Sequence, residues 1–242
     1  MSENNHPPQF EAQQTSPVDV KNVVKLAWTM LKQNQIPLVL ATIVTLVILV
    51  TLVMTILTFF NVTDPQAIPP NVQMIADILV TIVLAPLAAG MAMMGVKAAR
   101  QQACSVRSLF DYLPRAAWLA LTSLFISVIV QVGLLLFILP GIYLMIACSF
   151  ALMLVADRRM SPVAAVVLSI KTVNKQWSAF VLLYLVFGAA FIASALTFGI
   201  GFIWSIPFYY NALGVLYHQL FDTSVAQQTG DEPSHQDTVF DA

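Results

Sequence analysis

Residues 116–156 and 177–221 form two runs, of 41 and 45 residues, that carry no charged side chain at neutral pH. As helix, each run would be roughly 60–67 Å long, about twice the thickness of a bilayer's hydrocarbon core. Each is therefore read as two crossings joined by a turn. Two further apolar segments precede them. Residues 36–60 would make a helix of roughly 37 Å, enough to span with some tilt, and about 73–96 make a second. The stretch between, 61–72, holds three prolines and one aspartate and reads as a short external loop. The expected fold class is all-α: a polytopic membrane protein of six transmembrane helices arranged as three hairpins.

Charge placement orients this layout. The chain has eleven Lys and Arg residues. Lys21, Lys25 and Lys32 precede the first apolar segment; Lys97, Arg100, Arg107 and Arg115 lie between the second and third; Arg158, Arg159, Lys171 and Lys175 lie between the fourth and fifth. The connections on the other side have none. By the positive-inside rule both termini are expected in the cytoplasm. Apolar residues make up 59% of the chain and charged residues 10%, well short of a soluble domain's share. A net charge of −1 gives no indication of nucleic-acid binding.

Three regions follow: a disordered polar tail over 1–17, a six-span membrane domain over 18–221, and a disordered acidic tail over 222–242. The first tail has no basic n-region ahead of an apolar stretch, so the first span is expected to act as an uncleaved anchor. Within 116–156 the turn is expected at Leu139-Pro140-Gly141, between spans of about 116–138 and 141–156. Within 177–221 it is expected at Gly199-Ile200-Gly201, with Pro207 kinking the last span.

Each basic stretch is also patterned as a helix with one apolar face. Val20, Val23, Val24, Ala27 and Leu31 align at helical spacing, with Lys21, Lys25 and Lys32 opposite. Ser161 and Pro162 suit a helix start, after which Val163, Val166, Val167 and Ile170 would share a face, with Lys171 and Lys175 beyond it. A shorter helix is expected between Ser105 and Leu113. At an offset of 143 residues, Val23, Val24, Thr29, Lys32 and Gln33 coincide with Val166, Val167, Thr172, Lys175 and Gln176. This suggests a repeat in which an interfacial cytoplasmic helix precedes each hairpin. Lys21, Lys25, Lys32, Arg107, Lys171 and Lys175 would then meet anionic lipid headgroups.

Groups suited to chemistry are few. Asp77 is the one ionisable residue expected within a span, near the outer boundary. Thr51, Thr55 and Thr58 share a face of the first span toward the same side, and with Asp77 they form the candidate intramembrane polar site. The bland reading of Asp77 is an interfacial carboxylate in contact with water. His218 reads as an interfacial anchor, and Asp157, directly before Arg158-Arg159, as a local ion-pair partner or a helix-end residue. Cys104 and Cys148 have neither metal nor disulfide spacing. Ala85, Ala88, Ala92 and Gly95 in the second span, and Gly188, Ala189 and Ala193 in the fifth, are small enough for close helix contact. No catalytic constellation, metal site or cofactor motif is read from the sequence.

The stretch QVGLLLFILPGIYLMIACSFALMLVADRRMSPVAAVVLSIKTVNKQW, residues 131–177, adds a resemblance. A Leu-Pro-Gly-Ile turn is followed by an apolar span, Val-Ala-Asp, a short basic connection, Ser-Pro and a helix ending near Trp. This resembles the YciC-like group of bacterial inner-membrane proteins, whose function is unassigned. It is also similar to the membrane domain attached to some glycerophosphodiester phosphodiesterases. The resemblance implies a bacterial inner-membrane location and supplies no catalytic residues, since the phosphodiesterase activity belongs to a separate soluble domain. Together these readings favour a non-enzymatic membrane protein that modulates the envelope or serves a partner protein, with immunity to a membrane-acting toxin as a specialised form. The expected partners are anionic lipid headgroups and a protein partner or a second copy of the chain. The alternative is a small transporter or channel for an apolar or lipid-like solute.

Overall fold

The computed structural model describes residues 18–62, 64 and 68–222, and among them every regular element is helical. The expectations for the tails at 1–17 and 223–242 lie outside the described residues. Helix α1 is Val20–Gln33, α2 Gln35–Phe59 and α3 Pro70–Ala99. They are followed by α4 (Ala116–Leu136), α5 (Ile138–Ala147), α6 (Ala151–Arg158), α7 (Pro162–Lys175), α8 (Trp177–Leu196) and α9 (Phe202–Tyr217). A π-helical turn, His218–Asp222, continues α9. Five segments are long and apolar enough to cross a membrane: Gln35–Phe59, Pro70–Ala99, Val106–Leu136, Ile138–Arg158 and Trp177–Leu196.

Helix α3 is the centre of the bundle. Its most apolar window is 56% buried, against 17% for α2 and 22% for α8. It packs against α2, α4, α6 and α9. The closest approach is to α9, where a Cβ on Gly95 would strike the carbonyl of Tyr210 and one on Gly214 would strike the backbone of Gly95. Glycine is required at both positions because backbone meets backbone. The small residues of the fifth span behave differently. Gly188 in α8 has no atom within 4 Å of where a Cβ would be, and Ala189 and Ala193 are exposed.

The turn expected at Pro140-Gly141 lies three residues earlier. Phe137 is extended (φ −160°, ψ 151°), and Pro140 and Gly141 belong to the first turn of α5. A proline there costs little, since N–H groups of a first helical turn have no intrahelical partner. Gly141 instead allows close packing: a Cβ on it would collide with the side chain of Leu134. The turn at 199–201 is where expected, with Gly199 at φ +84°, and Pro207 lies inside α9.

The apolar segment that contains α5 and α6 is interrupted at Cys148–Phe150. Ser169 of α7, fully buried, splints the break: its Oγ donates to the Ala147 carbonyl at 2.6 Å and accepts from the Phe150 N–H at 3.1 Å. Without such a partner both backbone groups would be stranded in an apolar interior.

The repeat is clearest between the first and third units. Helices α1 and α7 are both 14 residues long, and each is followed by a single hinge residue before the next long helix. The hinges have similar backbone angles, φ −118° and ψ 34° at Asn34 and φ −134° and ψ 38° at Gln176. Asn34 and Gln176 are 142 residues apart, so the hinges differ by one residue from the 143-residue offset of the sequence coincidences. The second unit departs from the pattern. Where a helix over 105–113 was expected there are two 3-10 turns, Val106–Leu109 and Leu113–Arg115, the second containing Pro114. The first lies against α3, where a Cβ on Gly90 would strike the Leu109 carbonyl.

Candidate functional site

The eleven basic residues divide into two groups. Lys21, Lys25, Lys32, Arg107, Arg159, Lys171 and Lys175 are exposed. All six residues expected to meet headgroups are among them. Lys97, Arg100, Arg115 and Arg158 are half-buried and serve the fold. Lys97 Nζ donates to Ser108 Oγ and Asp111 Oδ2, both at 3.0 Å, tying the end of α3 to the 3-10 turns. Arg115 donates to the Ala156 carbonyl at 2.6 Å.

Arg100 is the hub of the second group. Its Nη2 donates to Asp157 Oδ2 at 2.9 Å, while Nε and Nη2 donate to Asp222 Oδ2 and Oδ1 at 2.7 and 2.9 Å. Tyr217 donates to Asp157 Oδ2 at 3.0 Å, and His218 Nδ1 lies 2.8 Å from Asp222 Oδ2. Asp157 lies at the end of α6, as one of its two expected roles had it, and it accepts from Arg100 and Tyr217 across the bundle. Asp222, assigned to the acidic tail, is an ordered member of this cluster. The hydrogen bonds to Asp222 push the Arg100 guanidinium above its ordinary value, against a smaller opposing effect of burial. Burial pushes the Asp222 carboxyl up, but hydrogen bonds from Arg100 and His218 outweigh it and leave the group below the ordinary carboxylate range. The cluster joins the ends of α3, α6 and α9.

The exposed group lies on α1, the 3-10 segment, the α6–α7 connection and α7. Helix α1 buries Val23, Ala27, Met30 and Leu31 and packs mainly on α9. Its N-terminus is capped by Asp19, whose Oδ1 accepts from Lys21 N at 3.0 Å. Val18 N donates to Gln176 Oε1 at 2.6 Å, which brings the start of α1 to the end of α7. The apolar face of α7 is rotated from the expected one. Ala165, Val166, Ser169, Thr172 and Val173 point inward, while Val163 and Val167 are exposed beside Lys171 and Lys175. The sequence pattern counted valines; the bundle selects the small and hydroxyl-bearing residues that fit closely.

Asp77 and the three threonines are not brought together. Asp77 lines a groove of about 400 Å³ between α3 and α4, with Gln73, Thr81, Ser127 and Gln131 as its other polar walls. Thr51, Thr55 and Thr58 are exposed on α2, and the hydroxyls of Thr55 and Thr58 donate to the carbonyls of Thr51 and Met54. A second cleft, of about 250 Å³, is mostly apolar and lies between α2, α3, α8 and α9; Thr45, Leu49, Leu84, Phe191 and Tyr209 are among its walls. Near the crossing of α3 and α9, Asn211 is fully buried with no hydrogen-bond partner for either side-chain atom among the described residues. Among the described residues no three His, Cys, Asp or Glu side chains are grouped to hold a metal ion. Known protein families, curated proteins and solved structures yield no match to this chain.

Proposed function

We propose that the chain is a non-enzymatic integral protein of a bacterial inner membrane, with six crossings and both termini in the cytoplasm. In this reading α9 is the sixth crossing, the three units are hairpins, and α1 and α7 lie at the cytoplasmic headgroup boundary. The bundle modulates the envelope or serves a protein partner, and a rim of exposed cations seats it on anionic lipid.

The observation that carries this reading is the division of the basic residues. Those hydrogen-bonded within the bundle build the fold, while the others stay exposed on α1, the 3-10 segment, the α6–α7 connection and α7. The contact between Val18 and Gln176 supports a continuous rim. The resemblance of residues 131–177 to the YciC-like group supports the location. A second reading, a carrier for an apolar or lipid-like solute, is favoured by the apolar cleft between α2, α3, α8 and α9.

Thiol labelling of intact cells tests the topology. In a Cys104→Ser, Cys148→Ser background, Asn61→Cys is expected to react with an impermeant reagent and Gly230→Cys only after lysis. Labelling of Gly230→Cys from outside would overturn the reading. Crosslinking and pull-down from native membranes tests the role: a reproducible protein partner is expected, and solute flux in proteoliposomes without one would favour the carrier.

A further inference from the structure

We propose that the groove between α3 and α4 binds a primary ammonium group, the headgroup end of an ethanolamine lipid or a free amine of the same chemistry. The inference rests on the membrane placement above and concerns a different site from the cationic rim.

Depth is the first argument. The tip of the α4–α5 hairpin exposes Leu135, Leu136, Phe137, Ile138 and Leu139, each at 64–87%. Such a tip is suited to hydrocarbon rather than water. Gln131 lies six residues before Phe137, roughly 9 Å along the helix. Asp77 faces the same groove as Gln131, so it sits deeper than an apolar tip. A carboxylate at that depth is costly unless neutralised. Yet the Asp77 side chain has no ion pair or hydrogen bond among the described residues.

The donor and acceptor inventory is the second. The Thr81 hydroxyl donates to the Asp77 carbonyl at 2.7 Å, leaving its lone pairs to accept. Gln131 Nε2 donates to Ser127 Oγ at 3.3 Å, which leaves Gln131 Oε1 to accept. With the carboxylate, the groove offers acceptors on both helices to one cation. An ammonium with three N–H donors can use them; a trimethylammonium has none to give. No Lys or Arg lies between Lys32 and Lys97, so nothing in α2 or the body of α3 holds an anionic headgroup. The exposed side chains of Met74 and Val128 form apolar shoulders open to acyl chains.

The test uses the full chain in detergent, with bound lipid read by native mass spectrometry. Ethanolamine, choline and glycerol headgroups are compared on the same acyl chains. Wild type is expected to retain the ethanolamine lipid about tenfold over the choline lipid. Asp77→Asn abolishes this preference and Gln131→Leu reduces it, both with an unchanged melting temperature. Displacement by millimolar ethanolamine identifies a free amine as the occupant, and its failure to displace identifies the lipid. Equal retention of ethanolamine and choline lipids by wild type, or an unchanged preference in Asp77→Asn, overturns the proposal. Thiol labelling at Asn61 and Gly230 is indifferent to this result, so the two readings fail separately.

Discussion

Arg100 grips Asp222 with two donated hydrogen bonds, Nε to Oδ2 at 2.7 Å and Nη2 to Oδ1 at 2.9 Å, across 122 residues of sequence. The same guanidinium reaches Asp157, so one planar fork closes the ends of three helices. The side chains of Arg100, Asp157 and Asp222 are only 20–24% exposed. Water can therefore replace the lost bonds poorly if one partner is removed.

Arg100→Gln is expected to destabilise the bundle by about 1.5–3 kcal/mol, because two carboxylates lose their charged donor. Arg100→Lys recovers only part of this, since a point charge cannot fork to both. Thermal unfolding in detergent checks both. An Arg100→Gln protein that melts with wild type would show the cluster to be decorative.

Acid sensitivity follows from the same pair. The Asp222 carboxyl, ordinarily at 3.8, is lowered in the folded protein. A group lowered by folding contributes stability that is present above its unfolded value and lost as pH falls through its folded one. Arg100, His218, Asp157 and Tyr217 surround this carboxylate. The contribution of Asp222 is therefore present above about pH 4 and is lost progressively as pH falls further, through its lowered folded value. Asp222→Asn is expected to melt lower than wild type near pH 7 and to show a shallower acid decline. Parallel acid limbs for the two proteins would remove Asp222 from the acid response.

These long-range partners explain where sequence reading stopped. Charge-free length points to helices long and apolar enough to span a membrane, and helical spacing to α1 and α7, because both are local properties. Which cation turns inward depends on Asp157 and Asp222, which are distant in sequence from Arg100. The break at Cys148–Phe150 is equally illegible, since Ser169, the side chain that permits it, comes from another helix. Pro140 misled for a different reason: proline signals a boundary, but it sits just inside the new helix as readily as at the break. Asp77 stands among apolar residues in the sequence, but its neighbours depend on which helix packs beside α3, and spacing cannot show that.

The α3–α9 crossing gives a contrast between glycines. Gly214→Val would drive a side chain into the backbone of Gly95 and Val96, and the neighbour cannot move without parting the helices. The expected cost exceeds the usual 1–3 kcal/mol of overpacking, with loss of folded protein on extraction. Gly188→Val meets open space and is expected to leave the melting temperature within a few degrees of wild type. Size-exclusion profiles of the two variants after extraction make the comparison. A monodisperse Gly214→Val protein would contradict the close approach.

The rim can be separated from the fold because its residues have different partners. Replacing Lys21, Lys25, Lys32, Lys171 and Lys175 together by Gln removes exposed charge and no hydrogen bond of these side chains. The contact of Lys32 Nζ with the Trp28 ring, 5.5 Å away, is lost, worth about 0.5–1 kcal/mol at an exposed site, so the bundle should be little affected in a zwitterionic detergent. On the proposed seating through these cations, adding phosphatidylglycerol is expected to raise the wild-type melting temperature by mass action. The five-fold variant is expected to keep less than about half of that rise, the remainder coming from Arg107, Arg159 and unspecific solvation. High salt should shrink the wild-type rise toward the variant's, since exposed charges are screened within a Debye length. Lys97→Gln is the opposite control: it breaks the bonds to Ser108 and Asp111, so it lowers the melting temperature in both lipids and leaves the rise intact. An undiminished rise in the five-fold variant would mean that the rim does not seat the protein on anionic lipid.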